Sequence, residues 1–367
     1  MDEAIPQLVK SEYSPRESWK DKPFSKEDAH FFFKGIHELS ELFTEERPKG
    51  MPAYFQHPKY RSAYLLYFLP LQAAKFLTLF SLHPAAFEAA LDHGRKNGIL
   101  RIADLGSGPG TASLSFLLLL LQQKLKTGEQ LPQIELDWFD TNESIMKDGK
   151  ALVDQLSNCF PKLRGRVHVN IHVTPWWKSP TLLAQKELSL TFMGHILNES
   201  SAPQRDSSSF WKMILEQTGG GGTLLVEPAA RKPSQILSFL RNQFFESELI
   251  ENDPTRLWGP CLHSGECPLT EGRDWCHFSI PTQIPGEWFK GFSEALSTER
   301  QWVKFSYLWL TSLQYRSQRQ HPSARRVISD SLSQGPKPTV LLCEPQTPGR
   351  WTSPTRNSIY RGDIVNI

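Results

Sequence analysis

A glycine-rich segment in the first third of the chain contains the residue types that most directly suggest chemistry. Gly106, Gly108 and Gly110 follow a short apolar stretch that contains Asp104, and a Leu-rich stretch comes next. Glycine is needed where the backbone turns sharply and must approach a ligand without an intervening Cβ. A turn that opens a helix also directs free backbone N–H groups toward such a ligand. We therefore expect Asp104, Gly106, Ser107, Gly108 and Gly110 to line a cofactor pocket.

A second acid, Asp140, ends the next predicted strand, where a carboxylate can accept hydrogen bonds from both hydroxyls of a ribose. The spacing D-x-G-x-G-x-G differs from the G-x-G-x-x-G fingerprint that binds a pyrophosphate. It resembles the cofactor loop of class I S-adenosylmethionine-dependent methyltransferases, and this resemblance implies S-adenosylmethionine as the cofactor. The alternative is a fold that retains the loop without using it.

The end of the fourth predicted strand, which faces the transferred methyl group in methyltransferases, contains His195, Asn198 and Glu199. The Asn/Asp-Pro-Pro-aromatic segment of enzymes that methylate exocyclic amines is missing here, and so is the cysteine used on carbon 5 of pyrimidines. His195 could act as a base or line the cofactor pocket. Asn198 and Glu199 could orient an amine or cap the following helix. The catalytic residues therefore stay unknown at this stage.

Four of the five cysteines could act together, because three lie in one Pro- and Gly-rich loop and the fourth closes the last predicted strand. They are Cys261, Cys267, Cys276 and Cys343. Zinc sites usually contain tighter C-x2-4-C pairs, and the wider gaps favour an iron–sulfur cubane held by four thiolates. A zinc site that includes His263 or His277 is an alternative, and unligated core cysteines are another. Cys159 stands apart, and we expect it to be buried.

The elements that must position these residues change character at Gly98. The first 97 residues are predicted to be helical, with a capping box at Ser25 and Asp28 and a helical stretch from Tyr60 to Leu82 that Pro70 interrupts. Strands then alternate with helices, which predicts a mostly parallel sheet with helices on both faces. The predicted strands cover residues 99–105, 134–139, 167–173, 188–194, 223–227, 304–311 and 339–343. The four thiolates, of which the fourth closes the last of these strands, are expected to tie the cysteine loop to the sheet.

Composition and charge limit the classes of function. The chain has 367 residues, of which 39% are hydrophobic and 22% charged, as in an ordinary globular protein. A net charge of +2 excludes bulk attraction to nucleic acid, but residues 316–367 contain eight basic and three acidic residues, so a phosphate backbone could bind there. The run Ala63–Leu69 is too short to span a bilayer, and the N-terminus lacks the features of a leader. We expect a cytoplasmic monomer that does not contact membranes.

Several segments together resemble the small-ribosomal-subunit methyltransferase-like family, which includes methyltransferase-like protein 17 of mitochondria, its yeast mitoribosomal counterpart and bacterial relatives. The resemblance covers about residues 55–345 and includes the segments 60–65, 104–110, 195–199, 226–228 and 305–308 with the four cysteines. It implies a Rossmann-like class I methyltransferase sheet, a [4Fe–4S] cluster on those cysteines, and binding to 16S-type RNA of the small ribosomal subunit. One departure is Ala229-Ala230-Arg231, where the family usually has Gly.

These observations predict an α/β protein with a helical region at 1–97, a methyltransferase-like domain at 98–345 and a basic tail at 346–367. A cysteine-ligated insertion is expected at about 252–285. The predicted function is an S-adenosylmethionine-dependent methyltransferase-like protein that acts on or binds ribosomal RNA, with a structural cluster. The alternative is a non-catalytic assembly factor that uses the fold as an RNA-binding scaffold, and a methyltransferase of a small molecule or a protein is a third reading. In the tail, the residues expected to contact RNA are Arg350, Trp351, Arg356, Tyr360 and Arg361.

Overall fold

The computed structural model describes residues 4–14, 17–20, 22, 24–44, 54–127, 131–183, 186–197, 208–246, 254–271, 273–281, 287–296, 302–311, 321–333 and 337–367. Within these ranges six α-helices precede the first strand. They are α1 (Ala4–Tyr13), α2 (Glu17–Lys20), α3 (Lys26–Thr44), α4 (Pro58–Ala63), α5 (Leu69–Leu82) and α6 (Pro84–Lys96). The predicted capping box before α3 is confirmed, since the Ser25 N–H donates to Asp28 Oδ2 (2.8 Å) and the Asp28 N–H donates to Ser25 Oγ (3.3 Å).

The helical segment Pro58–Leu82 is continuous, because the π-helical turn Tyr64–Phe68 joins α4 to α5. Pro70 was predicted to interrupt it, but lies in the first turn of α5, where a missing N–H is tolerated. By length and composition alone this segment could cross a membrane, yet 67% of its apolar window is buried inside the protein. The burial of Leu65, Leu66 and Tyr67 identifies it as a core helix.

From residue 99 onward strands and helices alternate as far as α11. This part consists of β1 (Ile99–Leu105), α7 (Thr111–Thr127), β2 (Gln133–Asp140), α8 (Glu143–Cys159), β3 (Val167–Val173), α9 (Ser179–Leu183), β4 (Leu188–Gly194), α10 (Ser208–Gln217), β5 (Thr218–Pro228) and α11 (Arg231–Glu246). The remaining elements are β6 (Leu257–Gly259), β7 (Phe278–Pro281), α12 (Glu287–Ala295), β8 (Trp302–Leu310), β9 (Ala324–Arg326), β10 (Thr339–Leu342), β11 (Gly349–Thr352) and β12 (Ile364–Asn366).

The central sheet has the order β3-β2-β1-β4-β5-β8-β6, and its first five strands are parallel. Strand β8 runs antiparallel between β5 and β6, and it also pairs with β7. The sheet separates two hydrophobic cores, one shared with α3, α5, α6 and α7 and the other with α10 and α11. The predicted α/β class and the helices on both faces are therefore confirmed.

The glycines 219–222 belong to β5 itself, which begins earlier than predicted. A Cβ on Gly221 would lie 2.7 Å from that of Ala90 on α6, and one on Gly222 would lie 1.9 Å from the carbonyl oxygen of Leu310. The run of glycines therefore lets α6 and β8 approach the strand closely.

Two sequence predictions are wrong in this part of the chain. The strand β10 does not join the central sheet but pairs with β11, while β12 pairs with β9. The apolar side chains of β10 pack instead in a small separate core that contains Val327 and Val340. Cys159, expected to be buried, is exposed, because it is the last residue of α8.

Candidate functional site

The glycine loop lies at the carboxyl edge of the parallel strands, between the end of β1 and the start of α7. The N–H groups of Gly106 and Ser107 both donate to the carbonyl oxygen of Phe139 at the end of β2, at 2.7 and 3.0 Å. The Gly110 N–H donates to the Ser107 carbonyl at 2.8 Å, which closes the turn. These bonds fix the loop against β2, as the D-x-G-x-G-x-G pattern predicts.

The three glycines are required for different reasons. All have positive φ, at +70° for Gly106, +52° for Gly108 and +69° for Gly110. A Cβ on Gly106 would lie 2.2 Å from Ile196, and one on Gly110 would lie 2.1 Å from the ring of Trp138. At Gly108 the nearest atom would be 3.8 Å away, on Phe55. Gly108 is therefore the glycine of the three at which an added Cβ would cause no overlap, with the ring of Phe55 as its neighbour.

Asp140 lies directly beside the loop. Its Oδ2 accepts from the Gly108 N–H at 3.0 Å, and its Oδ1 accepts from the Asn142 N–H at 2.9 Å. Burial raises the pKa of this carboxyl. Each carboxylate oxygen can accept a second hydrogen bond, so Asp140 retains capacity for a ligand hydroxyl.

Asp104 forms side-chain hydrogen bonds with α7. It is buried, and its Oδ2 accepts from the N–H (3.3 Å) and Oγ (2.8 Å) of Ser113 in α7. Trp138 Nε1 donates in turn to Ser113 Oγ at 3.0 Å. Burial, opposed by the Ser113 hydrogen bonds and assisted by the charge of Asp140, raises the pKa of Asp104 to about 7. Its hydrogen bonds hold α7 to β1, and its contact with a cofactor stays a prediction.

His195 follows the last residue of β4 with a φ of +62°, which is rare for a residue other than glycine. Its N–H donates to the Val226 carbonyl at 2.8 Å. The Leu197 N–H donates to Oε1 of Glu227, a fully buried carboxylate on β5 (2.9 Å). Asn198 and Glu199 lie outside the described residues. The end of β4 is thus tied to the end of β5 at the place where sequence analysis expects the methyl-transfer site.

The N-terminal region covers this loop, which the sequence analysis did not predict. Phe55, the residue nearest to Gly108, packs edge-on against Tyr64 at 5.1 Å. Arg61 donates from Nη1 to the Phe55 carbonyl (2.9 Å) and lies 3.2 Å from Asp148 of α8 through Nε. Tyr13 of α1 donates to the same Asp148 carboxylate. The only signal in the sequence was the segment 60–65, which contributed to the family resemblance.

The four predicted metal ligands come together. They line one cavity, beside Arg241 of α11 and Tyr307 of β8: Cys261, Cys267, Cys276 and Cys343. Burial and the proximity of the other thiols raise the pKa values of Cys261, Cys276 and Cys343. Of the two alternative ligands, His263 Nε2 lies 3.3 Å from Cys343 Sγ, whereas Nδ1 of His277 contacts the Trp275 carbonyl at 3.0 Å.

Comparison with known proteins identifies the family. A family model described as mitochondrial small ribosomal subunit Rsm22 matches residues 100–356, well over half of the chain. The chain belongs to the Rsm22 family. The match includes the glycine loop, Asp140, His195 and all four clustered cysteines. A comparison with curated protein sequences finds no match.

Solved structures similar to this Rsm22-family chain include methyltransferases, all of low identity. A Listeria monocytogenes protein assigned as a class I S-adenosylmethionine-dependent methyltransferase is 11% identical, with a TM-score of 0.36 over 87% of this chain and 82% of that one. Human N-acetylserotonin methyltransferase in complex with SAM is 16% identical, with a TM-score of 0.30 over 64% and 58% of the two chains. MnmC2 of Aquifex aeolicus is 15% identical, with a TM-score of 0.27 over 41% and 49%.

The basic tail of this Rsm22-family chain divides into exposed and buried residues. The side chains of Arg350, Arg356 and Tyr360 are exposed, and Trp351 is half-buried. Arg361, predicted to contact phosphates, is only 9% exposed and lies against Asp274 of the cysteine loop. The part of the tail that can meet a partner is therefore smaller than its composition indicates.

Proposed function

We propose that the protein is an S-adenosylmethionine-dependent methyltransferase-like protein that acts on or binds RNA of the small ribosomal subunit. The observation that carries this proposal is the glycine loop at the carboxyl edge of β1, with Asp140 bonded to Gly108. The family's description supplies the association with the small ribosomal subunit.

The residues present fit S-adenosylmethionine. Asp140 would accept hydrogen bonds from the ribose hydroxyls, and the absence of a Cβ at Gly108 would let the backbone approach the cofactor. When bound, the cofactor supplies an electrophilic methyl group. His195 has a left-handed backbone conformation at the end of β4, close to the buried carboxylate of Glu227 that holds Leu197. We place its side chain closest to the group that would accept the methyl. Strained backbone of this kind is concentrated at functional sites.

The test is calorimetric titration of S-adenosylmethionine into the full chain, purified without oxygen. The wild-type protein is expected to bind, and Asp140→Ala is expected not to. Asp154→Ala is the matched control, because Asp154 is an exposed acid on α8 that pairs only with Lys150 among the described residues. The thermal unfolding of both variants shows whether they are folded. Binding that persists in Asp140→Ala would contradict the assignment.

The second candidate function is a non-catalytic assembly factor that uses the fold to bind RNA. Two contacts favour it: the Asp140 carboxylate already accepts the Gly108 N–H, and Phe55 lies over the same glycine. Wild-type protein that is folded, contains its metal centre and binds no S-adenosylmethionine would support this reading over the enzyme.

We also propose that the four cysteines hold a structural [4Fe–4S] cluster. Ligands of a single Zn²⁺ ion lie about 2.3 Å from it, so their sulfur atoms must be within ~4 Å of one another. Among the described residues no group of three or more His, Cys, Asp or Glu side chains is arranged to hold one metal ion. The four thiols nevertheless line one cavity, and the wide sequence gaps between the cysteines are what favour a multi-iron cluster over zinc in this proposal. The expectation of a cytoplasmic monomer stays a prediction.

The cluster is tested by measuring iron, zinc and acid-labile sulfide in wild-type protein and in Cys343→Ser. We expect iron and sulfide in the wild type, a loss of both in the variant, and a lower unfolding temperature, because metal binding contributes directly to folding. Cys159→Ser is the control, since Cys159 is exposed and lies outside the cavity. Unchanged metal content in Cys343→Ser would contradict the four-cysteine site.

A further inference from the structure

Three arginines from separate parts of the chain surround the cysteine cavity. Arg241 lies on α11, Arg326 ends β9, and Arg361 belongs to the C-terminal tail. Arg241 lines the cavity, Arg326 donates to the carbonyl of Pro260 next to Cys261, and Arg361 lies 3.8 Å from Asp274, two residues before Cys276. One positive charge therefore lies in the wall of the cavity and two more lie against residues close to its cysteines.

Arg241 is the most enclosed of the three, with 2% exposure, and it lines the cavity itself. Its Nη2 donates to the His263 carbonyl at 2.6 Å, and its Nη1 donates to Asn242 Oδ1 at 2.8 Å. Its Nε is buried and has no hydrogen-bond partner among the described residues. All of these partners are formally neutral.

Arg326, which is partly exposed, and Arg361 contact residues that neighbour the cavity. Arg326 donates to the carbonyls of Pro260 and Gly362, both at 2.7 Å. The side chain of Arg361 is 91% buried, and its Nε and Nη1 have no hydrogen-bond partner in the described part of the chain. Its Nη2 lies 3.8 Å from Asp274, which is the one carboxylate within ion-pair distance of any of the three arginines among the described residues.

Buried cations of this kind need a counter-charge. Transfer of an unpaired charge out of water is strongly unfavourable, and proteins compensate it with an opposite charge or with full hydrogen bonding. Neutral thiols do not provide that charge, but thiolates do, because cysteines that ligate a metal are deprotonated. Four thiolates around a doubly charged metal core leave a centre with two net negative charges. The arrangement of arginines is thus complementary to an anionic centre rather than to four free thiols.

We propose that Arg241, Arg326 and Arg361 form a cationic shell that neutralises the metal–thiolate centre and retains it in the protein. The inference rests on the proposed cysteine centre and adds the residues that make this cavity suited to it. It also gives Arg361 a role in the centre in place of the phosphate contact that the tail's composition suggested. Removing one positive charge from the shell is expected to weaken retention of the metal and to lower its reduction potential.

The test compares Arg361→Gln with Arg356→Gln, which removes the same charge from an exposed site five residues earlier in the tail. Both proteins and the wild type are prepared without oxygen, their iron, zinc and sulfide are measured, and the rate of metal release to a chelator is followed. The reduction potential of the loaded proteins is measured by titration with dithionite. We expect Arg361→Gln to lose metal several times faster than the wild type and to have a more negative potential, and Arg356→Gln to match the wild type.

Arg241 provides a second comparison, because Arg241→Gln also loses hydrogen bonds to the cysteine loop and could fail to fold for that reason. Arg241→Lys retains the charge, so retention of metal by the lysine variant and loss by the glutamine variant would support the charge effect. Equal metal release and equal potential in Arg361→Gln and the wild type would overturn the shell while leaving the centre intact. Absence of metal from folded wild-type protein would instead overturn the cysteine centre itself.

Discussion

At the scale of single residues, the candidate cofactor site depends on which glycines are needed for packing and which for access. A Cβ on Gly106 or Gly110 would overlap Ile196 or Trp138, whereas one on Gly108 would only touch Phe55 at 3.8 Å. Sequence analysis identified all three and Asp140, because glycine spacing and a strand-ending acid are local patterns. It could not separate the roles of the glycines, because those roles depend on side chains distant in the chain.

Alanine substitutions distinguish these roles. Gly108→Ala is expected to lower the free energy of unfolding by about 1 kcal/mol, because φ is positive but space is available. Gly110→Ala is expected to cost about 3 kcal/mol, since its Cβ would also overlap the ring of Trp138. Chemical denaturation measures both values. Equal losses in the two variants would contradict the packing role of Gly110.

Asp104 gives a pH dependence of known sign. Burial raises its pKa from 3.8 to about 7. Between these two pH values the carboxyl is protonated in the folded protein and ionised in the unfolded chain. Its contribution to stability is therefore full below about pH 4, falls as the pH rises, and is lost above about pH 7. Asp104→Asn should lack this fall and should gain stability relative to the wild type across the interval. Urea unfolding of both proteins at several pH values checks this, and parallel profiles would contradict it.

At the scale of elements, the alternation of strands and helices along the chain was predictable from the sequence. The short strands and the contacts made by the other segments were not. Alternating strands and helices predicted the parallel strands β1 to β5 correctly, because the pattern of one buried strand after each helix is repeated in sequence. The strand β10 was assigned to the main sheet because Thr339–Leu342 is apolar, but its partner is the polar segment Gly349–Thr352. Such short strands are defined by pairing rather than by composition. The contact of Phe55 with the glycine loop and the placement of Arg241 beside the cysteines likewise left no local signal.

The docking of the N-terminal helices on α8 gives a prediction at this scale. Arg61→Ala would remove the hydrogen bond to the Phe55 carbonyl and the ion pair with Asp148. Both interactions are at least partly buried. Hydrogen bonds to charged groups contribute about 1.5–3 kcal/mol, so we expect a loss of about 2 kcal/mol in the free energy of unfolding. Faster proteolysis before residue 61 is expected as well. Arg95→Ala, which removes an exposed pair with Asp92, is the control and should change stability by less than about 1 kcal/mol. A similar small effect of Arg61→Ala would contradict the docking role.

At the scale of the whole molecule, the positive charge of the C-terminal region is divided between the surface and the interior. Arg350 and Arg356 are exposed, whereas Arg361 is turned toward the cysteine loop. Net charge and composition predicted the excess, but only the fold shows which of its members can reach a phosphate. The RNA-binding proposal therefore depends on fewer cations than the sequence contains.

Salt dependence of RNA affinity tests this division. If Arg350 and Arg356 contact phosphates of single-stranded RNA, replacing both with Gln should reduce the slope of log affinity against log salt concentration by about 1.4, at roughly 0.7 for each contact. Arg361→Gln should leave the slope unchanged, because its side chain is buried. Filter binding or fluorescence anisotropy over a salt series measures the slopes. An unchanged slope in the double variant would remove the tail from the RNA-binding surface.

The cavity lined by the four cysteines also has a consequence for the order in which the protein is made. Three of the thiols leave the ribosome together, but Cys343 follows only after β8 has been synthesised, and Arg361 comes later still. A nascent chain that has already formed the parallel strands therefore still has an open, incomplete cavity. The cavity is complete only after Cys343 and Arg361 have been synthesised and folded into place. A product truncated before them would therefore have exposed thiols.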